Sequence, residues 1–336
     1  VACRDSAAVM ATFVGMEGVA KVLVDGGTKS SVVLESGLQC DLRAVAGEEY
    51  PFALNYFTGS KEHNVAMRSR ALKWGYSLNE YRLAPSGDKE PKELLCDPIQ
   101  TEDDIYRALG LEPIHPALRE NTGEIEAAES AGLPQLVQLE NLRGTFHNHT
   151  TAIDGKASLE EMAEAARELG LQYLGISDHS KSSFQANGHE ADRLLAQVEE
   201  IKALNSTFDD GFRLFTGVEC DILKDGSLDY DDDVLSQLDY VVASVHNVFN
   251  LPEDEMTARI IKAIENPYIT MLGHLTGRLL LKREAYAVDV PKIIDACAAN
   301  STVIEINANP YRLDMDWRWW KLAKEKGVKT SINPDA

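Results

Sequence analysis

Gly144-Thr145-Phe146-His147-Asn148-His149 is the stretch that decides the fold of the second half of this chain. In an extended segment, residues i and i+2 point to the same side, so His147 and His149 share one face and Asn148 points to the other. Asp154 lies five residues later and completes a spacing typical of a metal chelate. A His-x-His pair alone is weak support for a metal site, so its interpretation depends on the downstream residues.

Short apolar runs alternate with helical segments after this stretch. Strands are predicted at residues 142–147, 173–177, 212–218, 240–245, 269–272, 303–306 and 329–332, and helices at 158–169, 190–204, 253–264, 290–299 and 317–326. Such alternation predicts an α/β fold of parallel strands with crossover helices, and about seven units favour a barrel over an open sheet. The carboxyl ends of the strands should then form one rim.

Histidines and carboxylates come directly after these strands, at the predicted rim. They are His147, His149, Asp154, Asp178, His179, Glu219, His246, His274 and Asp335. Five of the eight histidines of the chain belong to this set, which a random scatter would not produce. Imidazole and carboxylate ligands without thiolate suit zinc, manganese or iron, and so many ligands predict two or three ions.

Individual members of the set have other interpretations. Taken singly, His246 or His274 is more often a hydrogen-bonded barrel histidine than a ligand, so the prediction rests on the set. Asp178 could orient a neighbouring ligand instead of binding metal, and the nearby Asp221 could be a surface carboxylate. Glu219 is the predicted bridging and catalytic carboxylate.

This pattern resembles the PHP (polymerase and histidinol phosphatase) domain from about residue 142 to the C-terminus. The resemblance implies a distorted (β/α)7 TIM-like barrel with a trinuclear metal centre, holding manganese or zinc, that hydrolyses phosphoesters. The family ends its last motif with Asp-x-His, whereas this chain stops one residue after Asp335, so we expect a truncated domain with a weakened site. Lys181 and Arg278 are candidate phosphate contacts, although either could be a solvated surface charge.

The first half of the chain has a different pattern. Strands predicted at residues 19–24, 30–34 and 38–45 are separated by glycine-containing turns, which predicts an antiparallel sheet. Asp41 and Arg43 share a face of the third strand, which an ordinary solvated sheet would also explain. The element Tyr56-Phe57-Thr58-Gly59-Ser60 comes next, with Asn64 and Arg68 after it.

These elements resemble the end of the palm and the thumb of a family X DNA polymerase over roughly the first 120 residues. The resemblance implies that Asp41 is a catalytic carboxylate that binds magnesium or manganese. It implies DNA and nucleotide contacts by Tyr56, Phe57, Gly59, Ser60, Asn64 and Arg68, with Asn64 at the minor-groove edge of the incoming nucleotide. The other two carboxylates of that family form an Asp-x-Asp pair that does not precede Asp41 here, so we expect them to lie before Val1 and this chain not to polymerise DNA.

Composition limits the other classes of function. A net charge of −21 argues against a phosphate-backbone partner, although bound divalent cations can reverse the local field. The five cysteines are far apart, which predicts neither disulfides nor a thiolate zinc site. No run approaches the roughly 20 apolar residues of a membrane span, so we expect a soluble, cytoplasmic protein without a membrane partner.

The predicted domains are a partial polymerase palm (1–47), an α+β thumb (48–115), a linker (116–140) and a C-terminally truncated PHP domain (141–336). Joined in this order, they resemble bacterial family X polymerases of DNA base excision repair that carry a PHP domain. The resemblance implies a metal-dependent 3′-5′ exonuclease, with 3′-phosphatase and abasic-site endonuclease activities beside it. The implied partners are gapped duplex DNA, single-stranded 3′ ends and dNTP, bound by a monomer.

Two alternatives differ in class. A stand-alone PHP phosphatase, such as a histidinol-phosphate phosphatase, needs no DNA-binding domain, so the Tyr56–Ser60 element argues against it. A non-catalytic structural PHP module is expected to have lost ligands, whereas the eight expected before the end of the chain are present.

Overall fold

The computed structural model describes residues 1–87 and 90–336, and the chain divides into two compact units, residues 1–136 and 137–336. The elements of the first unit are α1 (Ser6–Val14), β1 (Val19–Asp25), β2 (Lys29–Leu34), β3 (Gln39–Arg43), α2 (Tyr50–Thr58), α3 (Lys61–Lys73), β4 (Tyr76–Leu78), β5 (Leu83–Pro85), α4 (Glu102–Ala108) and α5 (Glu124–Glu129). Strands β1, β2 and β3 form the antiparallel sheet that the sequence predicts. Helix α1 was not predicted, and the Asp5 side chain caps it by accepting a hydrogen bond from the Ala8 amide at 3.0 Å.

Residues 116–136 differ from the predicted linker because they fold into the first unit. Ile125 and Ala128 of α5 are buried in the same core as Met67 and Tyr106. Arg119 is only 2% exposed, pairs with Glu102 and donates to the Ile114 carbonyl at 2.9 Å. The linker prediction is wrong over this range, since a segment rich in Glu, Ala and Pro can still bury one apolar helix face.

The second unit alternates strands and helices throughout. Its elements are β6 (Gly144–Thr145), α6 (Leu159–Glu168), β7 (Tyr173–Ile176), α7 (Ala191–Asn205), β8 (Arg213–Asp221), α8 (Asp232–Leu235), β9 (Tyr240–Ser244), α9 (Glu253–Ile264), β10 (Met271–Leu272), α10 (Val290–Asn300), β11 (Val303–Asn307), α11 (Trp320–Glu325) and β12 (Thr330–Asn333). The seven strands are parallel and lie side by side in chain order. The predicted (β/α)7 fold is therefore confirmed.

The two outer strands of this sheet meet and nearly close it into a barrel. The Phe146 amide, directly after β6, donates to Oδ1 of Asn333, the last residue of β12, at 2.9 Å. Beyond the strand ends, the His149 amide donates to the Ala336 carbonyl at 2.8 Å and the Asp335 amide donates to the His147 carbonyl at 3.1 Å. These bonds bring the first and last predicted metal-binding motifs together at the carboxyl ends of the strands.

The helices are held against the barrel by one apolar face each. In α9 the buried side chains include Met256, Ile260 and Ala263, which share a core with Leu272 of β10 and Ile304 of β11. This core fixes the strands whose ends carry the candidate site. None of the helices among the described residues is long and apolar enough to cross a membrane.

Candidate metal centre

Three predicted ligands meet where β6 and β12 end. His147 and His149 come directly after β6, and Asp335 comes after β12. Asp335 Oδ1 lies 3.4 Å from His147 Nε2 and 3.2 Å from His149 Nε2. The three side chains form one group whose ligand atoms all lie within 4.8 Å of one another.

Glu219 lies at the centre of the cluster, inside β8, and is fully buried. Its Oε1 atom is 2.8 Å from His274 Nε2, 3.1 Å from His246 Nε2 and 3.2 Å from His147 Nε2. Its Oε2 atom is 2.8 Å from His179 Nδ1 and 3.7 Å from His149 Nε2. One carboxylate therefore faces the imidazoles that come after β6, β7, β9 and β10, which is the geometry expected of a bridging ligand.

Asp154 lies at the open side of the cluster. Its Oδ2 atom is 4.0 Å from His179 Nε2, and its side chain is half exposed. With His149 and His179 it forms a further group of ligand atoms within 4.8 Å. The other two groups are His147–Glu219–His274 and His179–Glu219–His246, so His147, His149, His179 and Glu219 each belong to two groups.

The polar atoms of this cluster fit metal ions because many have no other partner. Buried atoms without a hydrogen bond among the described residues include His147 Nε2, His179 Nδ1, His246 Nε2, both ring nitrogens of His274 and both oxygens of Glu219. Leaving buried polar atoms unpaired costs roughly 1–3 kcal/mol each. Nitrogen and oxygen donors in this arrangement can hold divalent cations, which would satisfy them.

Opposite charges outweigh burial at the centre of the cluster. Burial alone would lower the pKa of His147, but the carboxylates of Glu305 and Glu219 raise that pKa well above its usual value. Burial would raise the pKa of Glu219, whereas the imidazoles of His246 and His147 lower it well below its usual range. Burial opposes ionisation of His246 as well, but Glu219 raises its pKa to about 10. At His274, by contrast, burial lowers the pKa. The carboxylates therefore favour positive charge at His147 and His246, and a metal ion that binds there would replace the protons on those rings.

A layer of side chains behind the ligands fixes their orientation, and the sequence analysis missed most of it. Glu305 of β11 accepts a hydrogen bond from His147 Nδ1 at 2.6 Å. Asp221 Oδ1 is 2.9 Å from His246 Nδ1, and Asp221 is fully buried, so the surface alternative for this residue is wrong. The signal for Glu305 was a single carboxylate inside the apolar run of residues 303–306.

Asp178 belongs to this orienting layer. Its carboxylate accepts hydrogen bonds from the Thr150 amide at 2.7 Å, the Thr150 hydroxyl at 2.6 Å and Gln197 Nε2 at 2.6 Å. Its Oδ1 atom is 4.0 Å from His149 Nδ1. Asp178 is part of none of the four groups of ligand atoms, so it braces the segment that carries His149.

The two predicted phosphate contacts, Lys181 and Arg278, are not among the residues that line the cavity over the cluster. Lys181 Nζ is 5.7 Å from the centre of the Tyr230 ring. Arg278 donates to the Arg312 and Leu313 carbonyls and to Asp316 Oδ2 at 3.1 Å, so its guanidinium is committed to the backbone and to an ion pair. The cavity over the cluster, about 740 Å³, is lined by other cationic side chains, which are Lys156, Lys282 and Arg312.

The first unit gathers several of the predicted polymerase residues around a second, smaller cavity. This cavity, about 350 Å³, is lined by Asp41 and Arg43 of β3 and by Phe57 of α2, among others. Asp41 is exposed. Hydrogen bonds from Ser31 and Gln39 lower its pKa, which favours the ionised carboxylate. Arg43 Cζ lies 5.8 Å from the Phe57 ring centre.

The predicted nucleotide contacts around α2 and α3 divide into exposed and structural residues. Tyr56 and Phe57 pack edge to face at 5.0 Å, and Arg68 Cζ lies 5.5 Å from the Tyr56 ring centre. Asn64 is instead 8% exposed and donates to the Tyr56 carbonyl at 2.7 Å, which ties the start of α3 to the end of α2. The Ser60 hydroxyl, next to Gly59 in the turn between the helices, accepts from the His63 amide at 3.3 Å and caps α3.

Comparison with known proteins identifies both halves of the chain. Residues 53–120 match the DNA polymerase beta thumb, and residues 145–309 match the PHP domain. The whole chain is 39% identical, over 338 aligned residues, to the protein named DNA polymerase/3′-5′ exonuclease PolX of Bacillus subtilis (strain 168), and it spans 58% of the length of that relative. A probable phosphatase of Thermoanaerobacter sp. (strain X514) is 32% identical over 202 residues, which cover 56% of this chain and 77% of the phosphatase.

Proposed function

Because the chain belongs to the PolX family, with a DNA polymerase beta thumb ahead of a PHP domain, we propose that its barrel hydrolyses phosphodiester bonds at DNA 3′ ends. The observation that carries this proposal is the buried Glu219 carboxylate surrounded by five imidazoles at 2.8–3.7 Å. Such a cluster has no structural role that an apolar core would not fill better. The activity is that of a metal-dependent 3′-5′ exonuclease, with 3′-phosphatase and abasic-site endonuclease activities on the same site.

The residues that hold the ions are proposed from the four groups of ligand atoms. They are His147, His149, Asp154, His179, Glu219, His246, His274 and Asp335. The nitrogen and oxygen donors suit two or three manganese or zinc ions. When bound, such ions polarise the scissile phosphate and lower the pKa of a nucleophilic water.

The chain's own residues hold this arrangement rigid. Glu305 keeps His147 turned with Nε2 toward Glu219, and Asp221 does the same for His246. Arg312 Nε is 2.9 Å from Asp335 Oδ2, which leaves Oδ1 facing the two histidines after β6. Orienting hydrogen bonds of this kind fix the ring nitrogen that faces a ligand.

Two features favour DNA as the substrate. Lys156, Lys282 and Arg312 line the cavity over the cluster in a chain whose net charge is −21, so the site itself presents cations to a phosphate. The polymerase thumb in the first unit provides a reason for nucleic acid to be near. We further propose gapped duplex, single-stranded 3′ ends and dNTP as partners, magnesium or manganese at Asp41, a monomeric protein and a cytoplasmic location.

A second candidate is hydrolysis of a small phosphoester such as histidinol phosphate. It is favoured by the 32% identity to a probable phosphatase over most of the length of that relative. The same ligand set would serve both reactions, so substrate preference distinguishes them.

The test uses a 3′-labelled single strand and histidinol phosphate, each with manganese or zinc. We expect nucleotide release by the wild-type protein and its loss in Glu219→Gln, while Glu199→Gln on the exposed face of α7 retains it. Turnover of histidinol phosphate alone would replace the first proposal with the second. Equal activity of Glu219→Gln and the wild type would overturn both.

A further inference from the structure

We propose that the loop of residues 308–316, the rim loop, is the element that selects a nucleic-acid end, with Tyr311 stacking on the 3′-terminal base and Arg312 contacting its phosphate. This inference rests on the proposed function and specifies how the same site recognises single-stranded DNA.

The rim loop comes after β11 and is folded tightly enough to present fixed side chains. The Asn309 side chain accepts a hydrogen bond from the Tyr311 amide at 3.0 Å, and the Asn309 carbonyl accepts from the Arg312 amide at 2.8 Å. The Leu280 amide donates to the Tyr311 carbonyl at 2.7 Å, which ties the rim loop to the loop after β10. Tyr311 therefore sits on an ordered support.

Tyr311 has the exposure and the location of a base platform. Its side chain is 62% exposed, and it lines the same cavity as Glu219 and His149. Lys282 Nζ lies 5.1 Å from the ring centre, which adds positive charge beside the ring. Aromatic rings beside cationic side chains are the usual platform for single-stranded bases, because every base has a π-face that can stack.

Arg312 supplies the second, independent observation. Its Nε is fixed on Asp335 Oδ2 at 2.9 Å, whereas its Nη1 is buried and has no hydrogen-bond partner among the described residues. A guanidinium donates several hydrogen bonds in one plane and suits phosphate oxygens. The free donor lies in a residue that lines the cavity, next to the side chain we assign to the base.

Arg278 is a positioning residue for this loop. Its Nε donates to the Arg312 carbonyl at 3.0 Å, its Nη2 donates to the Leu313 carbonyl, and its Nη1 pairs with Asp316 at 3.1 Å. These bonds hold the second half of the rim loop, from Arg312 to Asp316. The arginine predicted from the sequence to touch phosphate therefore acts through another arginine.

The test compares Tyr311→Ala and Tyr311→Phe on two substrates that differ in having a terminal base to stack. The substrates are a 3′-labelled oligodeoxynucleotide and the same strand whose 3′-terminal residue is abasic, which keeps the phosphodiester and removes the base. Tyr268→Ala, in the loop before β10, is the matched exposed-tyrosine control and should cleave both strands as the wild type does. We expect Tyr311→Ala to lower kcat/KM on the strand with a terminal base by at least about fivefold, as loss of one stacked base would. The loss should be much smaller on the abasic strand, and Tyr311→Phe, which keeps the ring, should behave as the wild type.

A binding measurement separates this inference from the proposed function. An oligonucleotide with 2-aminopurine at its 3′ end should lose fluorescence on binding the wild-type protein and Tyr311→Phe, but not on binding Tyr311→Ala. Quenching that survives in Tyr311→Ala, or equal loss of activity on both substrates, would overturn the inference. If the wild-type protein fails to cleave the oligonucleotide, the proposed function fails, and the quenching alone then decides whether Tyr311 stacks on a base.

Discussion

Replacing Glu305 by Gln tests whether the layer behind the ligands controls the metal centre. The Glu305 carboxylate accepts four hydrogen bonds, from His147 Nδ1 at 2.6 Å, the His274 amide at 2.8 Å, Asn333 Nδ2 at 3.0 Å and Asn307 Nδ2 at 3.1 Å. A glutamine side chain offers one oxygen to these four donors and turns an NH2 group toward the others. Although Glu305 is buried, His147 lowers its pKa, so the substitution also removes a charge.

The magnitude is set by the bond to His147. A hydrogen bond to a charged group contributes about 1.5–3 kcal/mol, which corresponds to roughly 10- to 150-fold in an equilibrium constant. Substitutions behind metal ligands typically cost about 10- to 100-fold in affinity or activity. We therefore expect Glu305→Gln to bind manganese at least about tenfold more weakly than the wild type.

Competition with a chelator measures this affinity, and the manganese dependence of nucleotide release provides a second reading. Glu325→Gln, an exposed glutamate of α11, is the matched control and should bind manganese as the wild type does. Thermal unfolding in excess chelator shows whether the variant is folded. Unchanged manganese affinity in a folded Glu305→Gln variant would refute the reasoning.

Three further predictions concern separate parts of the chain. Asp221→Asn should weaken metal binding by about 10- to 100-fold, because Asp221 orients His246, and chelator competition measures it. Burial lowers the pKa of His63 below its usual value of about 6.5, so the imidazole binds a proton more readily in the unfolded chain than in the folded one. The urea concentration at the unfolding midpoint should therefore fall as the pH drops from about 6.5 toward the pKa that His63 has in the folded protein. His63→Gln should make this decline smaller. Ile260→Ala should lower the free energy of unfolding by about 2–5 kcal/mol, because Ile260 is fully buried in the core of the second unit, and a loss under 1 kcal/mol would contradict the packing.

Much of the barrel could be predicted because each strand and helix has a local signal. Helix α9 begins and ends where the apolar periodicity does, and Ser158 caps α6 by accepting from the Glu161 amide. The predicted ligands lie close together because each lies near the carboxyl end of a strand or beyond it, and parallel strands deliver their carboxyl ends to one rim.

The partners of the ligands could not be predicted, because they depend on how strands far apart in the chain are aligned. Glu305 and His147 are 158 residues apart along the chain, and they meet only because β6 and β11 are aligned in one barrel. The contact between Asp221 and His246 likewise depends on the alignment of strands. Strand β8 extends three residues beyond its predicted end and so includes Asp221, which the sequence analysis had left outside the strand. Sequence also could not show that the Arg278 side chain donates to backbone carbonyls and not to a phosphate, since an arginine after a strand can do either.

The number of metal ions per chain tests the central claim most directly. After saturation with manganese or zinc and removal of excess metal, elemental analysis should find two or three ions per wild-type chain and fewer in Glu219→Gln, because Glu219 belongs to two groups of ligand atoms. Less than one ion per chain in the wild type, or the same number in Glu219→Gln, would contradict the account.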